Sequence, residues 1–159
     1  MANTESKTRR LAVNAAFLKD IKDDSHDLKA IVDQIAPFSE HHQTAVNHWP
    51  ELVGLLEQLC DQLALHFSLE EAYGYFDDAV NHAPQLSVNA ECLRSQHPSL
   101  FKTIRGLADK VLEVNTDNIE HVQKFLNGYQ SFQQQFAAHE EAELKLILDA
   151  MDDDLGVGD

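Results

Sequence analysis

Cysteine is scarce in this chain of 159 residues, which has only Cys60 and Cys92 and no C-x-x-C pair. Two isolated thiols exclude a disulfide framework and a thiolate zinc site. Long apolar runs are missing too: none approaches the ~18 residues of a membrane span, and the first thirty residues lack the apolar core of a secretory signal. We therefore expect a soluble, cytoplasmic protein.

Basic residues are also few. Lysine and arginine number 12 against 27 aspartates and glutamates, so the formal net charge is −15 with histidine neutral. Such a surface repels phosphate backbones and anionic lipid headgroups, which argues against nucleic-acid and membrane partners. The excess is compatible with attracting cations, although a solvated acidic surface is its commoner explanation.

Glycine and proline are sparse, at six and four residues, whereas good helix formers dominate the composition. This balance predicts an all-α protein, and the length suits one domain. Four segments place apolar residues alternately three and four positions apart, the spacing of a helical seam. Joined by short connections, they predict an up-down-up-down four-helix bundle over residues 12–150, with flexible tails at 1–11 and 152–159.

The helix boundaries follow from local signals. The first helix should run from about Val13 to Pro37 or slightly beyond, and residues 38–49 lack a period and are expected to form a connection. Pro50 suits the first turn of the second helix, which fades near Val80.

The second half of the chain has similar boundary signals. Ser87 is a candidate N-cap for the third helix, which should kink at Pro98 or begin its regular part there. The fourth helix follows an Asn-Thr-Asp-Asn cap signal at 115–118 and has the cleanest seam. The acidic tail after it should be loose.

Two histidines each precede a glutamate by four residues, His66 with Glu70 and His139 with Glu143. This spacing puts an imidazole and a carboxylate on one helix face, one turn apart. Both pairs lie near the ends of their seams, on the second and fourth helices. They suggest a metal held inside the bundle.

The spacing between seams supports the same idea. Ser25 precedes His66 by 41 residues, and His97 precedes His139 by 42. About 20 residues on each side of a turn correspond to roughly 30 Å of helix out and back. All four positions should therefore meet at one end of the bundle.

Buried unpaired carboxylates are costly, and a bound cation is the usual remedy. One seam histidine is more often an ordinary core residue, but five ligand-type residues at one depth favour metal binding. Mixed imidazole and carboxylate donors suit iron, manganese or zinc better than calcium. The candidate metal-site residues are His66, Glu70, His97, His139 and Glu143.

The pieces HFSLEE, QHPSL and HEEAE resemble the hemerythrin-like, or HHE cation-binding, family, and the resemblance covers about residues 12–150. It implies a four-helix bundle around a non-haem, usually di-iron, centre. It further implies that three histidines are terminal ligands and two glutamates bridge the metals: His66, His97 and His139, with Glu70 and Glu143. Members of the family bind dioxygen, or sense oxygen, iron or redox state.

The chain also departs from the oxygen-carrying members. Phe101 stands where they have a second histidine in the third helix, and Leu144 stands where they have an aspartate, so Glu143 must serve. This variant is similar to the hemerythrin-like domain of eukaryotic iron sensing. With fewer protein ligands, reversible oxygen carriage is less expected than sensing, peroxide-type chemistry or iron binding.

The first helix lacks a histidine in the expected phase. Ser25 occupies the inward position, and His26 lies roughly 160° from the seam of Leu28, facing away from the bundle axis. A π-bulge would be needed to turn His26 inward. Otherwise Asp24, or Ser25 with water, takes the place of the missing ligand.

Three functions remain open from the sequence. The first is a non-haem iron protein, most simply di-iron with manganese or zinc as alternatives, that binds or senses dioxygen, iron or an oxidant. The second is a metal-free helical scaffold or interaction module. The third is a di-iron oxidase or peroxidase; no catalytic side chain is assigned, and an enzyme is the less expected class. A sensor would need a protein partner to carry its signal.

Overall fold

The computed structural model describes residues 23–72, 81 and 83–156, with side chains up to residue 150. Those residues form helices and turns, with no strand among them. Helix α1 covers residues 23–40 of the described chain. The other helices are α2 (His42–Asn47), α3 (Trp49–Ala72), α4 (Ser87–Lys110) and α5 (Ile119–Gly156).

The four long helices pack as an up-down-up-down bundle. Helices α3 and α4 run antiparallel, because His97 meets Glu70 at one end while Arg105 meets Glu57 further along. Helix α1 is antiparallel to α5: Gln130 donates to the Ser39 carbonyl at 2.8 Å, and the opposite end of α1 lies beside Glu140. The all-α bundle expected from the sequence is therefore confirmed.

The seams expected for α3, α4 and α5 line the core. Every described seam residue of α3, from Leu52 to Glu70, is buried, and so is every one of α5, from Val122 to Leu146. A fully buried leucine or phenylalanine contributes about 1.5–3 kcal/mol relative to an exposed one. The apolar cores of these seams therefore hold the bundle together.

The seam of α1 differs from the expected one by about one position. Asp24, Leu28, Ile31, Ile35 and Ser39 are the buried residues of α1, whereas Ser25 and Val32 are only half-buried. Both choices obey the spacing of three and four, so apolar periodicity alone could not separate them. The buried carboxylate of Asp24 has a partner in α3, and this partner decides the rotation of the helix.

The end of the bundle opposite the paired histidines is closed by specific contacts. The Trp49 indole N–H donates to the Val111 carbonyl at 3.1 Å, joining the start of α3 to the end of α4. The indole also meets the ring of Phe125 edge-on, with centroids 5.6 Å apart. Asn118 caps α5, since its Oδ1 accepts from the amides of Glu120 and His121 at 3.0 and 3.3 Å.

Three local expectations need correction. Residues 38–49 are mostly helical: α1 continues through Pro37 to residue 40, and α2 follows directly. Ser87 is the first residue of α4 rather than its cap, since a 3₁₀ turn over Pro84–Leu86 leads into it without a side-chain cap. Pro98 lies inside α4, which runs from Ser87 to Lys110 at the loss of one backbone hydrogen bond, so the regular part of the helix does not begin at Pro98.

The two ends of the domain are only partly described. Helix α5 continues to Gly156, into the tail that was expected to be loose. The expected start of the first helix near Val13 and the fading of the second near Val80 lie outside the described residues. Within the described part of the chain, no helix is long and apolar enough to cross a membrane.

Replacing Phe132 with alanine tests the core. Its side chain is 2% exposed and stacks on Phe136, so Phe132→Ala should lower the free energy of unfolding by about 3–5 kcal/mol. Leu112→Ala is the control, because Leu112 is 68% exposed and its loss should change stability by less than about 0.5 kcal/mol. Urea unfolding followed by circular dichroism measures both; similar losses in the two variants would contradict this core.

Candidate metal centre

Three helices bring the paired histidines and glutamates into one buried cluster. Helix α3 supplies His66 and Glu70, α4 supplies His97, and α5 supplies the second pair. All five sequence-derived candidates meet at this end of the bundle, and their exposed fractions are between 1 and 3%: His66, Glu70, His97, His139 and Glu143. The core thus contains a polar layer that apolar packing alone does not explain.

The Glu70 carboxylate lies between two histidines of different helices. Its Oε1 is 2.8 Å from Nε2 of His66, and its Oε2 is 3.1 Å from Nε2 of His97. Each oxygen therefore serves a different imidazole. A carboxylate held this way has the arrangement of a bridge between two neighbouring positions.

Glu143 joins the other histidines. Its Oε1 is 3.1 Å from Nε2 of His97 and 2.5 Å from Nε2 of His139. Two groups of donors, each within 4.8 Å, share this glutamate: one contains His97, His139 and Glu143, and the other contains His66, Glu70, Glu140 and Glu143. We name them the histidine-rich and the carboxylate-rich half-sites.

Helix α1 contributes a carboxylate on the far side of His66. Asp24 is buried, contacts Nδ1 of His66, and accepts a hydrogen bond from the Gln62 amide at 2.8 Å. A carboxylate only accepts, so the proton sits on Nδ1 and Nε2 points into the cluster. His26 is exposed and faces away from the bundle, while Ser25 lines a cavity beside the cluster.

His139 is oriented in the same manner by a different group. Its Nδ1 lies 2.8 Å from the amide oxygen of Gln96 in α4. Because an amide oxygen can only accept, Nδ1 is the protonated nitrogen and Nε2 is directed at Glu143. Both Asp24 and Gln96 thus fix the tautomer that leaves Nε2 facing the shared carboxylates.

Sequence reasoning missed Glu140. Its Oε1 is 2.9 Å from Nε2 of His66, although it directly follows His139 and lies ~100° round the helix from it. A helical wheel places Glu140 on the solvent-facing side of α5 and predicts a surface charge. Two signals in the sequence could have suggested the contact of Glu140 with His66. The glutamate side chain is long, and α1 has no histidine that faces inward.

The two positions that depart from the oxygen carriers face different ways. Leu144 is 58% exposed and borders the outer cavity, whereas Glu143 is buried and is the inward acid of α5. Phe101 is half-buried and borders a cavity of about 250 Å³ together with Phe67 and His97. Nothing on either residue can donate to a cation.

Aromatic rings shield the cluster from the core side. Phe67 stacks on His97 with centroids 4.2 Å apart and an interplanar angle of 15°, and Phe136 meets His66 edge-on. Tyr129 is buried deeper in the core, where burial raises the pKa of its hydroxyl. Tyr73, which continues the seam of α3 three residues after Glu70, lies outside the described residues.

Protonated histidines compensate the negative charge of the buried carboxylates when no cation is bound. Burial alone would lower the pKa of His66, but its hydrogen bonds to Asp24, Glu140 and Glu70 raise it to about 12. The pKa of His97 rises to about 9 for the same kind of reason, against its own burial. The protonated imidazoles of His66 and His97 thus supply the positive charge that the buried carboxylates require.

The two shared glutamates titrate in opposite directions. Burial would raise the pKa of Glu70, but its hydrogen bonds to His66 and His97 lower it to about 2. Burial, together with repulsion from Glu70, raises the pKa of Glu143. One carboxylate is therefore ionised at the expense of the other, which is expected where negative charge exceeds the available positive charge.

A cavity of about 390 Å³ connects this cluster with the surface between α1 and α5. It is bordered by Ser25 on α1, by His66 and Glu70 on α3, and by several residues of α5: Glu140, Glu141, Glu143 and Leu144. A second cavity, of about 350 Å³, lies between α4 and α5 beside Gln96, Ser99 and His139. Of these two cavities, only the one between α1 and α5 borders both shared glutamates, Glu70 and Glu143.

The donor set fits a bound cation. Glu70 Oε2 and His139 Nε2 are buried and make no well-aligned hydrogen bond within the described part of the chain, although His97 Nε2 and Glu143 Oε1 lie 3.1 and 2.5 Å from them. Both atoms face into the cluster, and lone pairs buried in this way are stabilised by coordination. The fold and this site define a helical-bundle metal-binding protein.

The comparison with protein families agrees. The chain matches the hemerythrin HHE cation binding domain over residues 16–153, and it belongs to that family. Comparisons with curated proteins and with solved structures found no match. The family resemblance expected from the sequence is thereby confirmed, as is cation binding as its general property.

Replacing Glu143 with glutamine tests the charge balance of the metal-free protein. The folded chain raises the pKa of Glu143 above its ordinary value of 4.5, so folding is increasingly penalised as pH rises above that value. Glu143→Gln removes this penalty. Its free energy of unfolding relative to wild type should therefore increase between pH 4.5 and 7.5.

Urea unfolding in the presence of a chelator measures this difference at both pH values. Glu141→Gln is the matched control, because Glu141 is exposed on the same helix and should give a difference independent of pH. A stability difference for Glu143→Gln that stays constant or shrinks with pH would contradict the assigned charge balance.

Proposed function

We propose that His66, Glu70, His97, His139 and Glu143 hold two non-haem iron ions. The observation that carries this proposal is the Glu70 carboxylate, whose two oxygens face histidines of different helices at 2.8 and 3.1 Å. Two donor groups that share Glu143 add a second carboxylate able to bridge. One cation would leave part of this donor set unused.

The donor types favour iron among the metals considered. Imidazole nitrogen with carboxylate oxygen suits iron, manganese and zinc, whereas calcium requires oxygen alone. Zinc sites are usually tetrahedral and closed, which two carboxylate bridges between two centres do not favour. Cysteine plays no part, since Cys60 is buried in the apolar core and Cys92 is exposed on the outside of α4.

The site is built for a small ligand. The cavity between α1 and α5 reaches His66 and both shared glutamates, and its volume of about 390 Å³ admits dioxygen or a peroxide. Iron, when bound, supplies the change of oxidation state that such ligands need. The residues of the chain would position the ions. Asp24 and Gln96 accept hydrogen bonds from Nδ1 of His66 and His139, and the rings of Phe67 and Phe136 exclude bulk water.

Sensing of oxidant or iron fits this site better than reversible oxygen carriage. Phe101 and Leu144 remove two donors that oxygen carriers have, so each ion has fewer protein ligands and its occupancy is easier to change. A change in occupancy alters the charge of a cluster that joins α3, α4 and α5. A protein partner that binds this end of the bundle would read that change.

Iron content tests the proposal directly. Anaerobic reconstitution of the full chain with ferrous iron should give about two iron ions per chain, measured by elemental analysis after desalting. Iron at a free concentration a hundredfold above its Kd should stabilise the fold by about 2.7 kcal/mol.

Glu70→Gln should reduce the iron content from two to about one per chain, because the amide cannot bridge two cations while the donor group of His97, His139 and Glu143 stays intact. His26→Ala is the control, since His26 is exposed and should be dispensable. Melting of each variant in chelator confirms that it folds. Wild-type protein that retains no iron and shows no rise in Tm would refute the metal centre.

Access for oxidants is tested by filling the cavities. Iron-loaded, reduced protein mixed with dioxygen should change its near-ultraviolet absorption in a single turnover. Ser25→Phe should slow that change several-fold by narrowing the α1–α5 cavity, whereas Ser99→Phe fills the α4–α5 cavity and should leave the rate unchanged. Equal rates in wild type and Ser25→Phe, or slowing by Ser99→Phe alone, would contradict the assigned route.

A further inference from the structure

We propose that Glu140 is a cation ligand that takes the place of the missing α1 side chain, and that it makes the two half-sites chemically unequal. This inference rests on the proposed metal centre. Glu140 Oε1 lies 2.9 Å from Nε2 of His66, on the side that faces the other donors. It forms one donor group with His66, Glu70 and Glu143, all within 4.8 Å.

Helix α1 offers no competing donor at this position among the described residues. Asp24 contacts Nδ1 of His66, on the far side of the imidazole ring, and cannot reach across it to the same cation. His26 is exposed, and Ser25 only borders the cavity. The coordination place beside Nε2 is therefore filled from α5.

The burial of Glu140 fits a ligand better than a surface charge. Only 33% of its side chain is exposed, although it stands between a histidine and a glutamate on a helix whose outer face is in water. Its neighbour Glu141 borders the same cavity and is exposed. Two adjacent glutamates thus differ in that one turns its carboxylate inward to His66.

The half-sites consequently differ in donor chemistry. The histidine-rich half-site has two imidazoles and Glu143, whereas the carboxylate-rich half-site has one imidazole and three carboxylates. Imidazole donors favour zinc and ferrous iron, and carboxylate donors suit manganese and other hard cations. We expect the histidine-rich half-site to fill first.

The carboxylate-rich half-site should exchange its cation more readily. Its ligand Glu140 stands at the mouth of the 390 Å³ cavity and is the least buried of the donors. A cation already bound in the histidine-rich half-site also repels a second cation, because the two half-sites are adjacent and share Glu143. Occupancy of this half-site is thus the quantity that varies with the free metal concentration.

Calorimetric titration of the chelator-treated full chain with Zn²⁺ and with Mn²⁺ tests the inference. Wild type should bind in two steps. Glu140→Gln should weaken the second step at least about tenfold, the scale on which even the outer partners of ligands act, and leave the first unchanged. Glu141→Gln is the matched control and should alter neither step.

A second variant separates a ligand from a mere counter-charge for His66. Glu140→His supplies a donor but no negative charge, so it should retain the second Zn²⁺ step that Glu140→Gln weakens. Loss of that step in both variants would show a counter-charge and overturn the inference. An unchanged second step in Glu140→Gln, or equal weakening of both steps, would overturn it as well.

The titration also distinguishes a failure of the role of Glu140 from a failure of the metal centre itself. Wild-type protein that binds two ions while Glu140→Gln behaves identically refutes the role of Glu140 and leaves the metal centre standing. Wild-type protein that binds neither Zn²⁺ nor Mn²⁺ refutes the metal centre, and the inference with it. Melting in chelator checks that both Glu140 variants fold.

Discussion

The constraint on which this structure depends is the burial of two shared carboxylates, Glu70 and Glu143, in the core of a small bundle. Burying such charges without compensation costs several kcal/mol each, which is a large fraction of the stability of a domain this size. In the metal-free chain, protons on His66 and His97 supply the compensation, and Glu143 holds its own proton more tightly. Cations and protons therefore compete for the same positions, and metal binding must release protons.

One end of the bundle stabilises the fold, and the other end contains the candidate metal ligands. Its closed end is held by apolar seams and by the contact of Trp49 with Val111, which no cation affects. The polar layer lies at the other end, where α3, α4 and α5 each supply donors and α1 supplies only the orienting carboxylate of Asp24. The apolar half therefore contributes stability that does not depend on the charge of the polar half.

Features with a strict period were predictable from the sequence, and features that depend on side-chain reach were not. The seams of α3 and α5, and the pairs at positions 66/70 and 139/143, follow from a 3.6-residue repeat. The rotation of α1 about its axis could not be predicted from this repeat, because Asp24 and Ser25 both satisfy a spacing of three and four beside Leu28. Glu140 was missed since a helical wheel places it outside, while its flexible side chain brings the carboxylate back to His66.

In the proposed centre, Asp24 and Glu140 both act on His66, and no histidine of the described α1 faces inward. His66 contacts Asp24 of α1 through Nδ1 and Glu140 of α5 through Nε2, so one imidazole connects the two helices that border the open cavity. A cation at Nε2 would leave the Asp24 contact in place and would change the contacts of Nε2 with Glu70 of α3 and Glu140 of α5. In the proposed centre, the gap between α1 and α5 is thus directly coupled to occupancy, and Glu140 of α5 supplies the donor that α1 does not.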